Sequence, residues 1–167
     1  MQRLADYLMT RISELGVNSL FFVSGGQCVY LTDALRRNMN ISSYSMHHEQ
    51  TVAMAAIAYS IATENIGVGL VTTGCAGTNT MTGLLHAYQD SIPLLIISGQ
   101  QSFENTVKAS GLPLRQVGIQ EADIESIVKP VTKFAVTISE PYDIALYFEK
   151  AVSSSPVISL INGNTSF

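Results

Sequence analysis

The sequence predicts an α/β protein: three layers, with a mostly parallel central sheet of about six strands and helices on both faces. Three observations predict it. Strand-like and helix-like segments alternate along the chain, the strand-like segments are continuous apolar runs, and glycine-containing turns separate them. Unbroken apolar runs suit strands covered on both faces, as in a parallel sheet, whereas a half-solvated strand would alternate.

The elements follow in order. Leu4, Leu8, Ile12 and Leu15 share one helical face, and Gly16 follows as a C-terminal cap. LFFV (20–23) reads as a short buried strand, broken by SGGQ and followed by a helical stretch through Ala34 to Arg37. ISSYS (41–45) is a weaker strand, and a helix begins near Glu49. GVGLVTT (67–73) reads as a central strand, GCAGTN as a glycine-rich turn, TMTGLLHAYQD (80–90) as a helix and PLLIIS (93–98) as a strand. The region 99–130 is the least regular, with short helical pieces expected around 102–108 and 121–128. KFAVTI (133–138) and PVISLI (156–161) complete the strands. Between them lies a helix with Ser139 as N-cap, Pro141 near its first turn, and Ile144, Phe148 and Val152 on one face. With no repeat or linker, residues 1–167 read as one domain that closes at NGNTSF, just past the last strand.

Composition narrows the function. Apolar residues make up 47% of the 167 and charged residues 13%, about half the ordinary charged share. The net charge of −4 and the lack of a basic cluster argue against nucleic acid. No apolar run approaches the ~18 residues of a membrane helix, and MQRLADYLMTRISELG is charged throughout, unlike a signal peptide. Cys28 and Cys75 form no disulfide framework or CxxC spacing, so a reducing cytoplasmic location is expected, with both as small buried side chains. From 50 to 103 the only charged side chains are Glu64 and Asp90. Such a zone is expected to combine core with a protein interface.

In open parallel sheets ligands bind beyond the carboxyl ends of the strands. SGGQ, MHHEQ, TTGCAGTN and SGQQ occupy those positions. Gly25 and Gly26, with Glu49 at about the offset of a ribose-binding acid, suggest a dinucleotide site, but GxGxxG is absent and Glu49 falls at a helix start. Glu49 heads a helix with no further charge to Thr63 and with Ala53, Ala55, Ala56, Ala58 and Ala62, side chains small enough to admit a close neighbour. Burial would raise its pKa while the helix N-terminus favours the anion, a balance suited to proton transfer. The plain alternative is a first-turn acid complementing the helix dipole. His47 and His48 are adjacent and cannot share one metal, so no metal site is expected; His86, Tyr88, Met46, Met54 and Met81 read as packing, and Asp90 as a helix-closing or structural pair.

FFVSGGQ, HHEQTVAMAAIAYSIAT, GVGLVTTGCAGTNTMTGLLHAYQDSIPLLIISGQ and GIQEADIESIVKPVTKFAVTI, in this order across roughly 3–162, resemble the N-terminal pyrimidine-binding domain of thiamine diphosphate-dependent enzymes of the acetolactate synthase-like group. The resemblance implies that Glu49 hydrogen-bonds N1′ of the cofactor's aminopyrimidine ring and so promotes removal of the C2 proton, the step that readies the cofactor for a 2-oxo acid. It further implies that Ser24, Gly25 and Gly26 lie near the thiazolium or substrate, with Ser24 in place of a usual proline. Thr73, Gly74, Cys75, Thr78 and Asn79 correspond to the pyrimidine-seating loop, with Cys75 in place of proline. Gln120 corresponds to a glutamine near the reacting centre, with Ile119 in place of phenylalanine. Those departures leave the 2-oxo acid open.

In this family a second domain binds the diphosphate through Mg2+ at a GDG motif, and the chain has no GD dipeptide. The resemblance therefore implies a cofactor-activating domain, inactive alone. It would pair as a homodimer or tetramer through the 50–103 region and meet the diphosphate-binding domain of a partner subunit. A non-catalytic dimerisation or binding module of the same fold is the alternative, ahead of a dinucleotide-binding domain.

Overall fold

A computed structural model describes residues 3–154 and 157–162. The helices are α1 (Leu4–Glu14), α2 (Val29–Arg37), α3 (Glu49–Thr63), α4 (Cys75–Asn79), α5 (Met81–Asp90), α6 (Val107–Ser110), α7 (Ile124–Val128) and α8 (Ile144–Ser153). The strands are β1 (Ser19–Phe22), β2 (Ser42–Ser45), β3 (Gly67–Val71), β4 (Leu94–Ser98), β5 (Phe134–Ile138) and β6 (Val157–Asn162). All six form one parallel sheet in the order β2-β1-β3-β4-β6-β5.

Every residue of β3 and β4 is buried, which is why these two segments carry no polar alternation. Successive side chains still point to opposite faces. Val68, Leu70, Leu95 and Ile97 pack with Leu8, Ile12, Leu31 and Phe148 from α1, α2 and α8. Val71, Leu94 and Ile96 pack with Val52, Ala56, Leu84 and Val128 from α3, α5 and α7. Two cores thus sandwich the sheet, and each fully buried aliphatic side chain contributes about 1.5–3 kcal/mol relative to exposure.

Gly16 closes α1 at φ +79, as its position after Leu15 predicts. Three local expectations need correction. GCAGTN is not simply a turn: Cys75–Asn79 form the short helix α4, because Gly74 at φ +65 reverses the chain first and Thr78 N–H then reaches Gly74 O at 3.1 Å. Ser139 does not cap α8. Pro141–Asp143 make a 3-10 turn preceded by Glu140, and α8 starts behind Asp143, since proline's fixed φ favours the tight turn before the helix. Cys75 is exposed, although Cys28 is buried as expected. Cys75 occupies the first position of α4, where its side chain faces out; burial pushes the Cys28 thiol up and keeps it protonated. Beyond Asn162, the closing NGNTSF segment lies outside the described residues.

Among the described residues no helix is long and apolar enough to cross a membrane. No cluster of His, Cys, Asp and Glu among them could hold a metal.

Candidate functional site

From β1 the chain crosses to β2 on one side and later returns to β3 on the other. The carboxyl ends of β1 and β3 therefore flank the switch point at which open parallel sheets form their binding crevice. The loops following these strands meet there. The Cα of Gly25 faces the Thr72 side chain so closely that a Cβ would stand 2.6 Å from it, and Gln27 N–H donates to Thr72 Oγ1 at 3.3 Å. Glycine at 25 is thus a steric requirement of the crossing. Ser24 and Gly26 are exposed and line the open side.

Glu49 is the first residue of α3 and is half-buried. His48 precedes it as N-cap, its Nδ1 accepting from Gln50 N–H at 3.2 Å, so the histidine is engaged in capping the start of the helix. Asn79 Nδ2, from the last residue of α4, donates to Glu49 Oε2 at 2.8 Å. This contact joins two segments thirty residues apart that sequence reasoning selected separately. No described residue bonds Glu49 Oε1. An amide donor on one oxygen orients the carboxyl and leaves the other free to share a proton with a ligand.

Thr73 is buried, and its hydroxyl donates to Gln100 Oε1 at 2.8 Å; Gln101 N–H reaches the same oxygen at 3.0 Å. The β3 and β4 loops are locked together by that pair, and Ser98 Oγ adds a bond to Thr72 O at 2.9 Å. Thr78 Oγ1 bonds Cys75 O within α4 at 2.9 Å, which gives it a local role. Gly74 meets the Gln120 carbonyl: a Cβ on Gly74 would stand 1.6 Å from that oxygen. Gln120, exposed and at φ +56, is thereby brought to the same end of the sheet. At one end of α4 Asn79 holds Glu49, at the other Gly74 abuts Gln120, and Gly25 meets Thr72, the residue before Thr73. A cavity of about 540 Å³ opens beside them, lined by Gln100, Gln101, Thr106, Arg115, Glu121 and Thr137 among others. Glu49 lies outside it.

Sequence reasoning placed Thr72 and Gln100 within the strand-end segments TTGCAGTN and SGQQ without singling either out, and Glu121 carried no signal of its own.

A parallel sheet with a glycine turn after β1 and a carboxyl–amide pair at its carboxyl end is an α/β domain of the class that binds ligands beyond its strand ends. Residues 2–127 match the family of thiamine pyrophosphate enzymes, N-terminal TPP binding domain, and the chain belongs to it. It is 34% identical to the acetolactate synthase large subunit of Buchnera aphidicola subsp. Acyrthosiphon pisum, over 88% of this chain and 24% of that protein. It is also 34% identical to the acetolactate synthase large subunit of Lactococcus lactis subsp. lactis, over 84% of this chain and 23% of that protein. Against the acetolactate synthase isozyme 3 large subunit of Escherichia coli K12 the identity is 33%, over 88% and 24%. The chain thus spans about a quarter of the length of these relatives.

Proposed function

We propose that this chain is the cofactor-activating domain of a thiamine diphosphate-dependent, acetolactate synthase-like carboligase or decarboxylase acting on 2-oxo acids. The observation that carries the reading is the Asn79–Glu49 pair, which sets one carboxyl oxygen and leaves its neighbour available at the switch point. The residues present fit the pyrimidine end of the cofactor. Glu49 would hold a proton at Oε1 against the ring, Asn79 would fix the carboxyl's orientation, and Gly25, Gly26 and Gly74 would admit a close ligand, with Ser24 and Cys75 at its rim. Thr73 would act through its backbone, since its hydroxyl is bonded to Gln100. Gln120 would stand near the 2-oxo acid. Bound thiamine diphosphate supplies an acidic carbon and an electron sink.

Nothing in this reading needs a metal ligand from residues 3–154. Mg2+ and the diphosphate would belong to a second domain, supplied by a partner subunit in a cytoplasmic homodimer or tetramer. Ile61, Leu85 and Tyr88, exposed on α3 and α5, support an interface there. The same surface would also serve a non-catalytic binding module, and turnover separates the two readings. In the full-length protein, Glu49→Gln is expected to abolish C2 proton exchange of bound thiamine diphosphate while the thermal unfolding temperature stays near wild type. Exchange at the wild-type rate would remove Glu49 from the role.

A further inference from the structure

Between α6 and α7 the chain runs from 111 to 123 without regular structure, and its course is set by one side chain. Glu121 Oε1 accepts the N–H of Val107 at 2.7 Å, while Oε2 accepts those of Val117 at 2.9 Å and Gly118 at 3.0 Å. One carboxylate thereby ties the first turn of α6 to the far end of the loop. Burial contributes little to holding this segment, because Leu112, Leu114, Val117 and Ile119 are all exposed. Charge-assisted bonds to backbone N–H groups are stronger than neutral ones, so they dominate here. Gln116 Nε2 adds one contact, to Gly118 O at 2.7 Å.

The residue before the clamp is Gln120. Its backbone is confined on one side by Gly74, whose Cα abuts the Gln120 carbonyl, and on the other by the loop that Glu121 gathers. Left-handed backbone at a non-glycine residue persists only where the surroundings over-determine it, and here those surroundings are Gly74 and the loop that the Glu121 carboxylate gathers. We propose that Glu121 is a positioning residue: its carboxylate clamps the 107–118 loop and so holds Gln120 at the carboxyl end of β3 for the 2-oxo acid step. This rests on the thiamine diphosphate reading above.

The test uses the full-length protein with thiamine diphosphate, Mg2+ and whichever of pyruvate, 2-oxobutyrate and 2-oxoisovalerate the wild type turns over best. Glu121→Ala is expected to lower kcat on the order of 10²-fold, the penalty of a displacement of about an ångström at a reacting centre. C2 proton exchange, which reports Glu49, should stay at the wild-type rate. Gln120→Ala should cause a similar loss, and the double variant no more than either single, because both changes remove one function. Glu121→Gln, which keeps one acceptor oxygen, should fall between, and should do so in KM-independent turnover. Additive losses, wild-type turnover in Glu121→Ala, or a parallel fall in C2 exchange would overturn the positioning role. A wild type that shows no C2 exchange would overturn the assigned reaction itself, and the role with it.

Discussion

Gly74 shows how much one atom decides at this site. It lies at φ +65, where L side chains are strained, and its Cα abuts the Gln120 carbonyl. Gly74→Ala is expected to lower stability by roughly 1–3 kcal/mol from backbone strain alone, and to push Gln120 away. Urea unfolding measures the first effect, and an unchanged midpoint would show that the loop absorbs the methyl group. Glu49 was legible in the sequence because it is the lone acid before a charge-free helix. Gly25 was legible as half of a Gly-Gly turn, and Asn79 only through the family pattern. The Asn79–Glu49 bond, like Thr73–Gln100 and the Glu121 clamp, joins positions 30, 27 and 14 residues apart, and local pattern carries no trace of such pairings.

At the scale of elements, five strands were legible from their apolar runs, while β2 was only a weak strand candidate, since Ser42–Ser45 has no apolar run and lies exposed at the sheet edge. The short helices were harder. The single turn of α4 gives too few residues for a helical period to emerge, and its start depends on the conformation of Gly74. The 3-10 turn at Pro141 displaced the cap expected at Ser139 for the same reason: a tight turn and a helix start share residue preferences. The 107–121 loop also carries a pH dependence. Burial works to raise the Glu121 carboxyl, but the N–H groups of Val117, Gly118 and Val107 together outweigh it and hold it below its ordinary 4.5. A depressed carboxyl stabilises the folded loop at every pH above the ordinary value, and that contribution is lost as pH falls through the depressed one. Amide hydrogen exchange, corrected for its intrinsic pH dependence, should therefore show Val107, Val117 and Gly118 protected at pH 5 and above and unprotected in stronger acid. Equal protection across that range would show that the loop is held by something else.

For the whole molecule, the poverty of charge between 50 and 103 has two sources that the sequence could not separate. Part of it is core: β3 and β4 are wholly buried. The rest faces outward, with Ile61 63% exposed, Leu85 42% and Tyr88 43%. Exposed apolar side chains on α3 and α5 are what the proposed association surface would use. Sedimentation of the full-length protein should show a dimer or tetramer, and Leu85→Glu should shift it toward monomer with little change in folding, since the side chain is already exposed. A clean wild-type monomer at high concentration would sink the interface. The sheet's two rims meet a different hazard. A sheet this apolar, left with free backbone groups at both margins, could add strands from other copies and grow into fibres. At one margin β2 is only four residues long and mostly serine, a poor template for an incoming strand. At the other, the Glu125 carboxylate accepts the N–H of Thr137 in β5 at 3.1 Å, occupying one of the donors that a stranger would need. Guarded margins of this kind would leave the helix faces for the proposed association, which would end at a defined number of copies, whereas strand addition would have no natural end.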